Sequence, residues 1–314
     1  MSACFAHWGT RPQAVCFSRL FAIGFTCAGL MVSTAMATEL GASVYPAGIE
    51  TVMPGVNPPP GGTLLLEFSN FYQANALLDS QGHSQIPGFH LRVAAVAVKV
   101  VHNWGLHVLG GTLVSSAALP YVYEHLDGPF GVGDKTGFAN PDIQPVAIAY
   151  QGGDWHWWYG LDVIAPGLAY NRADLVNIGQ HNFALAPSGA FTYLPGRSTE
   201  ISSKFQLINN GKDDATEYQS GREFVWEYDG MQNITKKLAV GVNGFYYQQT
   251  TDDRQFGLPI GNRGRDVAIG PELRYHLGHL ELIAKYQRDM LVENRPLGNS
   301  FWVQLGLPIG HGHE

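Results

Sequence analysis

The stretch Gly128-Pro-Phe-Gly-Val-Gly133-Asp134-Lys135-Thr136 comes close to a phosphate-binding loop. Such a loop needs backbone N–H groups converging on a phosphate at a helix start, with the lysine directly after the last glycine. Here Asp134 separates Gly133 from Lys135, and Pro141 falls where the helix should run, so nucleotide chemistry is not expected. His276, His279 and Glu281 form one set of candidate metal ligands; His311, His313 and Glu314 form another. The first mixes turn and strand and the second is a tail, so neither offers a preformed geometry, and no metal or other cofactor is expected. Asp213-Asp214 and Asp252-Asp253 lack calcium-loop spacing and read as solvated loop charge. Neither a nucleophile elbow nor a zinc-protease helix motif is present, so the chain does not read as an enzyme.

The remaining charged residues fall into a pattern of period two. Within 265–276, Asp266, Glu272, Arg274 and His276 share one face, and Val267, Ile269, Leu273 and Tyr275 the other. Glu281, Lys285 and Gln287 oppose Leu280, Leu282, Ala284 and Tyr286 in the same way. Glu200, Ser202, Lys204 and Gln206 oppose Ile201, Phe205 and Leu207, while Glu223 and Glu227 oppose Phe224, Trp226 and Tyr228. A charge facing hydrocarbon at the membrane midplane costs about 2–4 kcal/mol. In a membrane barrel the charged faces must therefore point inward, and Glu200, Lys204, Asp266, Glu272, Arg274, Glu281 and Lys285 line the lumen. A soluble barrel would invert the two faces, and alternation alone does not choose between them.

The connections between strands do choose. Segments rich in Val, Tyr, Phe, Trp and Thr predict twelve strands, near 63–72, 89–101, 106–119, 140–150, 154–165, 182–194, 199–208, 216–228, 235–249, 265–276, 280–288 and 300–308. Short connections at 102–105, 151–153, 195–197, 229–234 and 277–279 alternate with longer ones at 73–88, 120–139, 166–181, 209–215, 250–264 and 289–299. Short periplasmic turns alternating with longer outer loops are the mark of an outer-membrane barrel, and an even count puts both termini on the periplasmic side. Trp155, Trp157 and Tyr159 on one strand face, with Tyr246, Tyr247, Tyr275 and Tyr286 near strand ends, suit interfacial girdles.

Composition agrees with this placement. Charged residues make up 14% of the 314, against roughly 25% in ordinary soluble domains. Arg11 and Arg19 precede an apolar stretch that ends in Ala35-Met36-Ala37, the pattern of a cleaved export signal over residues 1–37. All three cysteines (Cys4, Cys16 and Cys27) lie in that signal, so the exported chain is expected to fold without disulfides. The longest later apolar run, 91–101, contains Arg92 and Lys99 and is too short for a membrane helix. Residues 38–62 carry Pro46 and Pro58-Pro59-Pro60, which exclude a central strand. This segment reads either as a plug in the barrel mouth or as a periplasmic tail, with the barrel occupying 63–314.

Several stretches carry a family resemblance. Tyr45-Pro-Ala-Gly48 followed by Pro58-Pro-Pro-Gly61 resembles the opening of the outer-membrane family labelled "putative MetA-pathway of phenol degradation", which includes SphA-like proteins. Gly137-Phe-Ala-Asn-Pro-Asp142, Ile178-Gly-Gln-His-Asn182 and Thr216-Glu-Tyr-Gln-Ser-Gly221 are similar to it too. So are Tyr246-Tyr-Gln-Gln-Thr-Thr-Asp-Asp253 and Gly264-Arg-Asp-Val-Ala-Ile-Gly-Pro271. The resemblance spans nearly all of 38–314 and implies an outer-membrane β-barrel related to channels for hydrophobic compounds. It carries over no catalytic residue. One departure is the end, Leu307-Pro-Ile-Gly-His-Gly-His-Glu314, where outer-membrane chains often finish on an aromatic residue.

Together these readings give an all-β, twelve-stranded transmembrane barrel in the cell outer membrane, passing small hydrophobic or aromatic molecules passively. Its expected partners are outer-membrane lipid and lipopolysaccharide, the barrel-assembly machinery and the transported molecule. A formal charge of −7 gives no reason to expect nucleic acid. The alternatives are a structural or adhesive barrel working through its outer loops and, behind it, a barrel lipid hydrolase.

Overall fold

The computed structural model describes residues 41–129 and 131–309, the side chain of Arg197 apart. The export signal read at 1–37, and His311, His313 and Glu314, lie outside the described residues. Sixteen strands are present among those described: β1 (Thr63–Leu77), β2 (His90–Val108), β3 (Gly111–Gly128), β4 (Gly131–Phe138), β5 (Asp142–Gly152), β6 (Trp155–Ile164), β7 (Ala184–Tyr193) and β8 (Thr199–Asn210). They continue as β9 (Tyr218–Gln219), β10 (Glu223–Asn233), β11 (Leu238–Gln249), β12 (Asp253–Gln255), β13 (Leu258–Gly261), β14 (Arg265–Leu277), β15 (Leu280–Glu293) and β16 (Pro296–Ile309). Twelve of them (all but β4, β9, β12 and β13) pair antiparallel with their neighbours in a ring that closes where β1 meets β16. β4 and β5 pair with successive parts of β3, so they behave as one strand broken at 139–141. β9, β12 and β13 form a separate small sheet built from the loops.

The outer wall is apolar. Val96, Val98 and Val100 of β2, Trp155, Trp157 and Tyr159 of β6, Phe205 of β8, Trp226 of β10, and Ile269 and Leu273 of β14 are all exposed, while polar side chains between them are buried. A closed ring that is polar inside and greasy outside satisfies its backbone without an edge and must be solvated by lipid, which places the protein in the outer membrane. Tyr247 departs from the girdle reading: it is buried inside, beneath the Arg295 guanidinium 4.0 Å from its ring centroid.

Several connections differ from the sequence reading. The expected turn at 102–105 is an irregularity inside β2, where the register shifts between Asn103 and His107. Gly105 takes φ +67° and donates its N–H to Asn103 Oδ1 at 3.0 Å, so turn-like residues are absorbed as a bulge. The real turn is Leu109-Gly110, both at positive φ as a two-residue hairpin requires. At the other end, the loops expected at 120–139 and 289–299 are largely strand. β3 pairs directly onto β4, with Gly128 opposite Gly131, and β15 turns into β16 through Asn294 and Arg295. The loop-like residues there belong to strands that overrun the bilayer, which needs only 9–11 residues per crossing.

The loop aspartates also need correction. Asp213 and Asp253 are buried rather than solvated. Asp253 accepts from Gly221 N–H at 2.8 Å and Gln249 Nε2 at 2.6 Å, tying the small sheet to the rim. Asp213 accepts from Ala215 N–H at 2.7 Å and pairs with His181 at 3.0 Å. Burial pushes its carboxyl up, but the bonds from His181 and the Ala215 N–H outweigh this and hold it below the usual 3.8. A depressed value means the folded loop favours the carboxylate. Its stabilisation is therefore complete above the unfolded value of about 3.9 and is lost as pH falls from there through the lower folded value. Amide-exchange protection of Ala215, corrected for the intrinsic rate, should fall as pH drops below about 4. Asp213→Asn should abolish that pH dependence, and an unchanged profile would remove the carboxylate from the account.

Candidate functional site

The site begins with a segment that cannot satisfy its own backbone. Residues 41–62 form a few local bonds, among them Ile49 N–H to Pro46 O at 3.3 Å and Val56 N–H to Met53 O at 3.0 Å. A buried backbone group must find a partner somewhere, and here side chains on the inner wall supply it. Glu227 of β10 accepts from Gly48 N–H at 2.6 Å, Glu50 N–H at 3.2 Å and the Tyr45 hydroxyl at 2.8 Å. Glu200 of β8 accepts from Met53 N–H at 2.8 Å, and Thr192 of β7 from Gly55 N–H at 3.1 Å. Lys285 of β15 donates to Gly48 O, Ile49 O and the Thr51 hydroxyl at 2.7–3.0 Å. Trp158 of β6 donates to Pro54 O, and Asn103 of β2 to Pro58 O. A chain bonded to β2, β6, β7, β8, β10 and β15 at once runs inside the ring. Gly48 is required where it stands: its φ is +90°, and a Cβ there would strike the Gln287 amide.

Ion pairs fasten the same segment. Glu50 bonds both Lys99 of β2 and Lys204 of β8, bridging opposite sides of the lumen. Lys204 also donates to the Tyr45 hydroxyl at 3.0 Å and lies 4.6 Å from that ring's centroid.

The residues read from the sequence as lumen-lining are placed as follows. Glu200, Lys204, Asp266, Glu272, Arg274 and Lys285 are buried, and Glu281 is half-buried. Arg274 bonds Glu200 and lies 3.3 Å from Glu281, so these three meet. Glu272 stands opposite Lys285 in the β14–β15 register. Asp266 is separate, 3.7 Å from Arg295. Of the imagined metal trio, His276 lies 3.6 Å from Glu281 while His279 is exposed in a turn. The loop that approached a phosphate cradle is a hairpin whose Lys135 is held by Asp174 at 2.7 Å and Asn177 at 3.1 Å.

The interior has two unlike sides, which the sequence reading missed. From β8 to β15 it is charged. From β1 to β3 the inward positions are largely apolar (Leu64, Leu66 and Phe68, then Val93, Ala95, Ala97 and Val101, then Val114, Ala118 and Val122), interrupted by Asn70, Lys99, Asn103, Ser116 and Glu124. Residues 41–62 lean on the charged side and leave space along the apolar one. Two cavities lie there, of about 260 Å³ and about 240 Å³. The first is bounded by Val93, Ala95, Val122 and Leu126 toward the loop end, and the second by Leu64, Val101, Trp158 and Pro308 toward the end where β1 begins and β16 finishes. Glu50, Phe68 and Lys99 border both. The signal in the sequence was the run 91–101, apolar on both faces apart from its two basic residues. The same run lies within the strand expected near 89–101.

The family described as "Putative MetA-pathway of phenol degradation" matches over residues 74–305. The barrel is similar to the COG4313 outer membrane channel from Pseudomonas putida F1, at 15% identity and a TM-score of 0.71, covering 85% of this chain and 100% of that one. The NanC porin gives a TM-score of 0.44 at 10% identity over 77% of this chain and 98% of that one. The β domain of the Bordetella autotransporter BrkA gives 0.48 at 14% identity over 80% and 100%. Among curated proteins, none matches the sequence.

Proposed function

We propose, given that this chain belongs to the family described as "Putative MetA-pathway of phenol degradation", that it is a passive outer-membrane channel for small hydrophobic or aromatic molecules. One observation carries the reading: two cavities follow the largely apolar β1–β3 wall from the loop end toward the end where β1 begins, with Glu50, Phe68 and Lys99 bordering both. Water-filled porin lumens are polar throughout, whereas a molecule with little charge gains by moving along an apolar wall. Residues 41–62 then act as a plug that narrows the lumen to this one side. Lys204, Lys285, Glu200 and Arg274 act chiefly by holding that plug, and Lys99 with Glu50 forms the constriction. Such passage needs no covalent step and no energy source. The outer wall meets lipid, with lipopolysaccharide at the loop end, and the barrel-assembly machinery inserts the chain.

Uptake of a labelled phenol or fatty acid into proteoliposomes, compared with empty liposomes, tests the channel. Several-fold faster uptake is expected, and equal rates would overturn the reading.

A further inference from the structure

We propose that the outer wall across the β1–β16 seam carries a binding site for a phosphorylated, acylated glycolipid of the outer leaflet, of the lipid A type. The proposal does not rest on the channel reading, because the residues that carry it face away from the lumen. Outward positions here fall in two aligned rows. In one, Tyr123 of β3, Ala94 of β2, Phe71 of β1, Phe301 of β16 and Tyr286 of β15 stand opposite one another in turn. One pair nearer the loop end, His125, Arg92, Gln73, Asn299 and Arg288 line up across the same five strands. The long connections gather at that end, which makes it the outer one and its lipid lipopolysaccharide.

The first row suits acyl chains. Phe71, Phe301, Tyr123 and Tyr286 are exposed, and Ala94 leaves a gap among the rings. A hollow of about 430 Å³ lies on this patch, bordered by these five residues and by Arg92, Gln73 and Asn299. Aromatic rings near a strand end settle at headgroup level, where one end is apolar and the other wet.

The second row supplies charge complementarity. Arg92 and Arg288 are exposed, and among the described residues neither has an acid within ion-pair distance. Asp127, the outward acid beyond His125 on β3, stands opposite His90 instead. Arg265 of β14 also faces outward, but Glu293 holds it. Asn299 Oδ1 accepts from the Tyr286 hydroxyl at 2.7 Å, which leaves its Nδ2 free to donate. A general basic girdle would run round the whole ring, and this one does not: β5, β6, β7, β8, β10 and β11 hold no arginine, and their single lysine, Lys204, is buried inside. Arginine binds phosphate through paired N–H bonds, and a charge left unpaired at the hydrocarbon edge is costly. Three strand spacings, about 14 Å, part Arg92 from Arg288. A disaccharide with a phosphate at each end spans a gap of that order, and its acyl chains then lie along the aromatic row. A phospholipid with one phosphate answers only one of the two arginines.

Native mass spectrometry of the full chain in detergent tests the site, with diphosphoryl lipid A, enzymatically dephosphorylated lipid A and phosphatidylglycerol offered in turn. Diphosphoryl lipid A should be retained about fivefold or more over each of the others, the margin expected of paired arginine–phosphate bonds. Arg92→Gln combined with Arg288→Gln should bring it down to the phosphatidylglycerol level. Lys236→Gln with Lys237→Gln removes the same charge from the exposed turn at the opposite end and should change nothing. Millimolar inorganic phosphate, which has no acyl chains, should not displace the bound lipid. Equal retention of phosphatidylglycerol would mean an unspecific anionic boundary and would overturn the proposal. Retention that survives in the arginine variant, falls equally in the lysine variant or yields to free phosphate would overturn it as well. If the arginine variant does not refold, the comparison of lipids on the native chain still decides. The channel reading fails separately, since vesicle uptake reads the lumen and lipid retention reads the outer wall.

Discussion

Removing residues 41–62 should open the barrel. Single-channel conductance in planar bilayers should rise by about threefold or more, because the lumen of a ring this size is filled by what lies within it. Glu227, Glu200, Thr192 and Lys285 would lose the backbone groups they now bind, and water would take their place. The strand ladder does not depend on the segment, since the ring closes through β1 and β16 without it. The shortened chain should therefore still show the heat-dependent gel mobility of a folded barrel. Selectivity should shift as well. The exposed inner wall carries more acidic than basic groups, so cations should pass preferentially. A conductance equal to that of the full chain would show that residues 41–62 do not restrict the path.

The second large effect is expected at Glu50. It is the one carboxylate shared by Lys99 and Lys204, and Glu50→Ala leaves two ammonium groups facing each other across the lumen. Removing one partner of a buried charge group costs about 3–5 kcal/mol. The lower end applies here, because Lys99 and Glu50 border both cavities and water can reach them. That loss falls on the docking of the segment rather than on the ring. The expected signs are flickering conductance and proteolysis within 41–62 of a barrel that remains folded. Adding Lys99→Met and Lys204→Met to Glu50→Ala should restore much of the docking, since an apolar replacement of a buried charge cluster is often close to neutral. A quiet, protease-resistant Glu50→Ala barrel would remove the cluster from any role in holding the constriction.

Alternation in β8, β10, β14 and β15 was legible in the sequence because one face of each strand meets lipid and the other meets charge. The strand count followed, and with it the barrel. Strand ends were less legible. Gly105 and the residues around it carry turn chemistry but sit in a bulge, and the rim strands beyond the bilayer are free to be polar. The two-sided interior was hidden for a plainer reason. β2 faces lipid outside and an apolar cavity inside, so it has no alternation to read, and Lys99 looked like an interruption rather than an anchor. Glu50 was invisible as a site because its partners lie 49 and 154 residues away, and no local spacing encodes such a pairing.

The embrace of residues 41–62 by the ring also orders events during folding. These residues are synthesised before any barrel strand, yet their partners lie far downstream: Glu227 is 179 residues beyond Gly48, and Lys285 is 237 beyond it. Contacts of such sequence separation form late. A segment made before every barrel strand is thus among the last to find its place, and it must wait unpaired while β1 through β16 assemble. Its prolines and glycines suit that wait, since a stretch that cannot form a strand ladder offers no edge to a neighbouring chain. Closure of β1 on β16 then has to trap the segment rather than exclude it, so the seam and the segment are expected to mature as one kinetic step.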